Sequence, residues 1–156
     1  LKVIKEIKAQ NGLVLFPHPY TGHKIIEEVI PHVDIIEIFN SRDNEERNKK
    51  AFALAQRYDK SIVVGSDAHF SNHVGFSTNE ARGYNIKDAI LSKEKEFSVK
   101  YSPIYSYHFS QIIKHIHFKQ FRKIFKDLEY FCRNWLKTNL LNDKKELRKK
   151  ITIHWP

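Results

Sequence analysis

The sequence predicts an α/β fold, a parallel sheet or barrel built from βαβ units and followed by a basic amphipathic helical tail. Two observations carry that expectation. Short apolar runs alternate with amphipathic stretches through the first hundred residues, the pattern of strands joined by helical crossovers. Charge then breaks sharply: residues 1–96 hold 14 basic and 14 acidic side chains, whereas residues 97–156 hold 13 basic and 4 acidic. The whole net charge of +9 therefore belongs to the second zone. A division into residues 1–101 and residues 102–156 follows from it.

The elements justify themselves in turn. Residues 1–10, LKVIKEIKAQ, read as a helix with Val3, Ile4 and Ile7 on one face, stopped by Asn11-Gly12. Leu13–Phe16 is a short apolar run ended by Pro17, a buried strand. Residues 22–30 look helical as far as Pro31, and VDIIEIF at 33–39 is a second strand. Asp43–Tyr58 is a helix, with Ala51, Leu54, Ala55 and Tyr58 at helical spacing behind an acidic first turn. Ser61–Gly65 is a third strand, followed by a short helix at 86–92 and extended chain at 97–101. Ser102-Pro103 then opens one long helix or two consecutive ones, reaching about Leu140. The charged stretch DKKELRKK at 143–150 is expected to fray.

Composition excludes several classes. Hydrophobic residues at 41% and aromatics at 13% are too many for a disordered chain. No apolar run approaches the roughly 18 residues of a membrane span. Cys132 is the only cysteine, which rules out an intrachain disulfide and a Cys-based zinc site and suits a reducing cytoplasm. No phosphate-binding P-loop, dinucleotide fingerprint or EF-hand loop is present. A chain with no methionine that opens on Leu1 reads as a fragment whose N-terminal part is missing.

The chemistry gathers where strands end. LVLFP runs into His18, VDIIEIF carries Glu37 and runs into Asn40, and SIVVG runs into Ser66-Asp67-Ala68-His69. Sites in α/β sheets and barrels form at the carboxyl ends of strands. His18, Asp67 and His69 are therefore the candidate metal ligands, and Asp67 and His69 the candidate catalytic pair. An Asp-x-His pair in extended chain turns both side chains to one side. It offers one hard oxygen and one borderline nitrogen, a mixture that suits Zn²⁺, Mn²⁺ or Fe²⁺. Glu37 reads better as a group that orients a ligand than as a ligand itself. Arg42, after Asn40-Ser41, could meet a phosphate as a planar fork, although a surface arginine at a helix start is the commoner meaning. His23 and His73 lie on adjacent loops, within reach of a substrate or as ordinary loop histidines. Ser66 has no paired base in view and is rejected as a nucleophile.

The stretches GLVLFPHPYTG, VDIIEIFNSR and NKKAFALAQRYDKSIVVGSDAHFSNHVGFS together resemble the C-terminal half of a PHP (polymerase and histidinol phosphatase) domain. The resemblance covers roughly residues 10–95. It implies a distorted β/α barrel with two or three divalent metal ions, acting as a hydrolase of phosphate esters. It also implies that His18, Asp67 and His69 are metal ligands and that Glu37 lies buried near them. The family's N-terminal H-x-H step and its other ligands have no counterpart in these residues. The chain is thus expected to hold part of a site, completed by a missing N-terminal portion or by association with another chain. The alternative is a nucleic-acid-binding module without catalysis. Tyr101, Tyr105, Tyr107, Phe118, Phe121 and Trp135 lie among the lysines of the tail, which suits phosphate contacts and base stacking. Their spacing also suits a packed helix with a solvated basic face. Contact with an anionic membrane surface ranks below both.

Overall fold

The computed structural model describes residues 1–92, 94–140 and 149–154, with backbone alone for 137–140 and 149–154. Helix α1 (Lys2–Ala9) leads to the two-residue strand β1 (Leu15–Phe16). A short α2 (Ile26–Val29) runs into a 3₁₀ turn at Ile30–His32, because Pro31 cannot continue the α-helical ladder. Strand β2 (Ile35–Asn40), helix α3 (Glu45–Arg57) and strand β3 (Ser61–Gly65) complete the first layer. Strands β1, β2 and β3 lie side by side and parallel, in chain order. The core fills between this sheet and its helices, with Ile30, Ile36 and Ala55 sealed from solvent. Helix α3 begins where expected, since the Asn44 side chain accepts from the Arg47 amide as an N-cap.

The register of β2 on β3 slips at one residue. Glu37 pairs with Val63 and Phe39 with Val64, so Ile38 is the extra residue of a bulge. Bulges re-aim side chains. Beyond it, β3 ends on Gly65, where an added Cβ would stand 1.8 Å from Glu37 Oε1. The strand can pass the Glu37 carboxylate only because that position carries no side chain.

A second, antiparallel sheet departs from the all-parallel expectation. It is formed by β4 (Ser77–Ala81), β5 (Glu94–Val99) and β6 (Lys149–His154), in that order, with α4 (Ile86–Leu91) between β4 and β5. Strand β4, with the sequence STNEA, carries no alternating apolar face to announce it. Its link to the first sheet is a side chain. Asn79 Oδ1 accepts from the Val64 amide at 2.8 Å and Asn79 Nδ2 donates to the Val64 carbonyl at 2.8 Å. One carboxamide thus occupies the free edge of β3 as a strand residue would. Strand β5 starts three residues earlier than the extended stretch read at 97–101. Of the stretch expected to fray, residues 143–148 lie outside the described residues, and 149–150 open β6.

Strand β5 buries Phe97 and Val99, and between β4 and β6 it also buries Lys95. The Lys95 ammonium donates to Ser61 Oγ at 2.9 Å, to the Ile62 carbonyl at 2.8 Å and to the Ile90 carbonyl. Three donors meet three neutral oxygens. Burial pulls its pKa down to about 8.

The tail is two helices, α5 (Ile104–His117) and α6 (Phe121–Leu140), broken where Lys119 takes a left-handed conformation (φ 54°). They form an antiparallel hairpin, with Phe131 of α6 against Tyr105 and Phe109 of α5 at ring distances of 6.0 and 5.7 Å. Among the described side chains of the two helices, the fully buried ones lie on α5: Ser106, Ser110 and Ile112. Among the described residues, no helix is long and apolar enough to cross a membrane.

Two outcomes follow from these contacts. Gly65→Ala should cost about 3 kcal/mol in urea unfolding, since the strand or the carboxylate must move. The same change in a Glu37→Ala background should cost much less; equal costs would refute the contact. Lys95 is depressed in the folded chain, so between pH 8 and about 10.5 the unfolded chain binds more protons and stability rises with pH. Unfolding free energies of wild type and Lys95→Met should therefore diverge in favour of wild type across that window. A constant difference would show that Lys95 does not titrate there.

Candidate functional site

Strand ends deliver the rim. After β1 the chain turns at His18, whose φ of 29° lies in the left-handed region. After β3 it turns at Asp67, with φ 44°. Left-handed backbone is costly for residues with a side chain and persists where its surroundings enforce it, often at functional sites. The turn at Asp67 also changes the reason for its meeting with His69. Extended alternation does not align them, because β3 has already ended at Gly65. The left-handed turn instead brings Asp67 Oδ1 to 3.6 Å from His69 Nδ1.

Glu37 lies beneath the rim, buried on β2. One oxygen, Oε2, accepts from the His18 amide at 2.7 Å and from Asn40 Nδ2 at 3.1 Å. Burial raises its pKa; the bonds from Asn40 and His18 pull the other way, and the Asp67 charge adds to the rise. His18 and Asp67 thus both act on this one carboxylate. Asn40 in turn accepts from the Arg42 amide at 2.9 Å through Oδ1, and its own amide donates to Asn48 Oδ1 at 3.0 Å.

The loop carrying His18 is tied down elsewhere too. The Thr21 amide donates back to the His18 carbonyl at 2.9 Å, and Thr21 Oγ1 donates to Asp43 at 2.5 Å. Arg47 Nη1 lies 3.1 Å from the same Asp43 oxygen. His18 Nδ1 stands 3.3 Å from the Thr21 carbonyl, the arrangement that fixes a ring and leaves Nε2 free. The His23 ring stacks on the His18 ring at 5.3 Å. Burial lowers the pKa of His23, and the neighbouring His18 lowers it further.

Arg42 departs from the sequence expectation. Its side chain is 8% exposed. Nη1 contacts His69 Nδ1 and lies 4.0 Å from Asp67 Oδ2, while Nη2 donates to Ser110 Oγ at 2.9 Å. The guanidinium also sits over the Tyr107 ring, 5.4 Å from its centroid. Its fork faces protein groups on two sides. His73 is buried between Phe70 and Phe76, and its Nδ1 finds no hydrogen-bond partner among the described residues. Burial lowers its pKa first, followed by the charges of Arg42, Lys100 and His69.

Helix α5 closes one wall of this rim, and sequence reasoning missed it. Besides Ser110 and Tyr107, Phe109 stacks on Phe70 at 5.4 Å. The available signal was Ser106 and Ser110, two small polar residues four apart on an otherwise aromatic helix. That spacing marks a face meeting something close.

The donor types suit a divalent ion: imidazole nitrogens and a carboxylate, with His18 held from its Nδ1 side. Their number falls short. Among the described residues, no three His, Cys, Asp or Glu side chains stand close enough together to hold an ion.

Comparison with known proteins places this rim in a wider setting. The chain is 31% identical over 107 residues to an uncharacterized protein of Methanocaldococcus jannaschii, a stretch that is 62% of this chain and 45% of the relative. The chain thus spans under half the length of that curated relative. No solved structure matches it. Residues 45–96 match the family described as PHP-associated, and they include β3 and the Asp67-Ala68-His69 turn. That match is consistent with a C-terminal region of the PHP family.

Proposed function

We propose that residues 1–101 form the C-terminal half of a PHP-type β/α barrel and supply part of the metal centre of a phosphoester hydrolase. One observation carries the reading. The two left-handed residues at the ends of β1 and β3 are His18 and Asp67, and both act on the buried Glu37. His18, Asp67 and His69 would hold the ions, Zn²⁺, Mn²⁺ or Fe²⁺, with the remaining ligands coming from outside these residues. Bound there, a divalent ion polarises a phosphoryl oxygen as a Lewis acid. Glu37 holds the His18 turn through its amide, and Asn40 holds Glu37. Asp67 supplies negative charge at the rim, and His23, stacked on His18, is the substrate contact of the two loop histidines; His73 is buried between Phe70 and Phe76 and does not face a substrate. The substrate class is a phosphate ester, nucleotide or nucleic acid included, and the setting is a reducing cytoplasm.

A second reading rests on a different observation. Phe131 of α6 packs on α5, but other aromatic residues of the helix keep much of their surface exposed: Phe121 is 62% exposed, Phe125 78% and Trp135 46%. They stand on a helix that also carries Arg122, Lys123, Lys126 and Arg133. Solvated aromatics among cations suit stacking on bases and pairing with phosphates. Residues 102–156 would then carry nucleic acid beside the rim.

Both readings have direct tests. Turnover of a generic phosphodiester with added Mn²⁺ or Zn²⁺ should be absent in the 156-residue chain. It should appear in a longer chain that adds the remaining ligands, and Asp67→Asn should abolish it there. Equal turnover with and without the added portion would overturn the shared-site reading. For the tail, affinity for a single-stranded oligonucleotide should fall steeply between 50 and 200 mM salt, roughly tenfold or more. Failure to bind at low salt would reduce those lysines to a solvated face.

A further inference from the structure

We propose that Arg42 is a positioning residue that sets the tautomer of His69 and so decides whether that imidazole can ligate an ion. The inference rests on the metal-site reading above. Its starting point is a conflict at one atom. His69 Nδ1 faces groups with opposite requirements: the Arg42 guanidinium and, on the accepting side, the Asp67 carbonyl at 3.0 Å with the Asp67 carboxylate beyond it at 3.6 Å. A guanidinium only donates, so its contact needs a lone pair on Nδ1 and places the ring hydrogen on Nε2. A carbonyl only accepts, so its contact needs a hydrogen on Nδ1 and leaves the lone pair on Nε2. A neutral imidazole can satisfy one of them, not both.

The two choices differ in what they present to the rim. With hydrogen on Nδ1, the ring is anchored by a backbone carbonyl and offers Nε2 outward, as ligating histidines do. With hydrogen on Nε2, the outward nitrogen is a donor and has nothing to give an ion. Arg42 selects the second state as long as its guanidinium stays in place.

The surroundings hold it there. Ser110 donates its hydroxyl hydrogen to the Tyr107 carbonyl at 2.7 Å, which leaves its lone pairs for Arg42 Nη2 at 2.9 Å. The Tyr107 ring lies under the cation, and Asp67 Oδ2 is 4.0 Å from Nη1. At the other end the Arg42 amide is bound to Asn40, itself bound to Glu37. The cation that neutralises Asp67 in this chain is therefore supplied by α3's leading loop and steadied by α5. A divalent ion would have to compete with it for Asp67 as well as for His69.

The experiment reads the tautomer directly. Nitrogen-15 NMR of the His69 ring in the metal-free 156-residue chain at pH 8, where an ordinary imidazole is neutral, should show hydrogen on Nε2. Arg42→Met, which keeps length and removes the donor, should move it to Nδ1. Arg42→Lys should restore Nε2–H, and Ser110→Ala should shift the population toward Nδ1–H in a chain whose Arg42 is intact. Co²⁺ titrated into the same samples should bind about tenfold tighter to Arg42→Met than to wild type. Hydrogen already on Nδ1 in wild type, or no change in either variant, overturns the role of Arg42; Co²⁺ bound equally by both proteins in that case leaves the metal-site reading standing. A tautomer shift with no Co²⁺ bound by either protein establishes the positioning and overturns the metal-site reading instead.

Discussion

The structure turns on a carboxylate buried where a carboxylate is expensive. Glu37 reaches the carboxyl ends of three strands at once: it holds the amide of His18 after β1, the carboxamide of Asn40 on its own strand, and the space that Gly65 leaves open on β3. Each donor left without it would cost about 1–3 kcal/mol as an unsatisfied buried group. The ionised group itself loses much of its hydration on burial, and its raised pKa records that loss. Two hydrogen bonds offset part of the cost. The rest must be met by the packing of Ile36, Ile38, Ile62 and Val64 on either side. A fold seeking only stability would put an apolar residue at 37, as replacements of buried charges often show. The retained carboxylate instead fixes a left-handed His18 at the rim.

Charged groups link the two zones from both sides: Arg42 meets Ser110 and Tyr107 of α5, and Lys100 stands over the Phe76 ring. The first zone is balanced and the second holds the entire excess of +9, yet the cation that matters at the rim, Arg42, comes from the balanced zone. Helix α5 contributes neutral groups to it, a hydroxyl and a ring, which hold a guanidinium without cancelling its charge. On α6, Lys126 and Arg133 stand over the Tyr130 ring and Arg133 pairs with Glu129, while Phe121 and Phe125 face solvent. One helix of the tail belongs to the rim, and the other offers a separate surface.

What the sequence revealed depended on how far apart the partners stand along the chain. Helix α3 and strands β2 and β3 were legible because hydrophobic periodicity and an acidic first turn are local signals. The placement of His18, Asn40 and Asp67 at or just beyond strand ends was legible because strand ends are predictable places, and the structure joins His18 to Glu37 and Asp67 to His69. Strand β4 was not, because its reason for being extended is the bond from Asn79 to Val64, 15 residues away, and not an apolar face. Ser110 was not, because its partner Arg42 lies 68 residues upstream. Lys95 escaped for a third reason: a lysine in a strand normally signals an exposed face, and nothing local says that three oxygens await it. The PHP resemblance carried the ligand assignment, but its pattern says nothing about the tautomer that Arg42 imposes.

The two edges of the parallel sheet differ in a way that bears on how a barrel would close. The outer edge of β3 is taken at Val64, where the Asn79 carboxamide satisfies both backbone groups, and the β4–β5–β6 sheet lies beyond it. Among the described residues, no strand pairs with the other edge of β1. That strand pairs with β2 through two residues only, and Leu15, 45% exposed, stands on it. An uncovered edge of backbone donors and acceptors is a template for another strand. The proposed barrel therefore grows from the β1 side, and a strand added there arrives next to His18. A strand at that edge would thus bring its own side chains beside His18, the proposed ligand nearest to it.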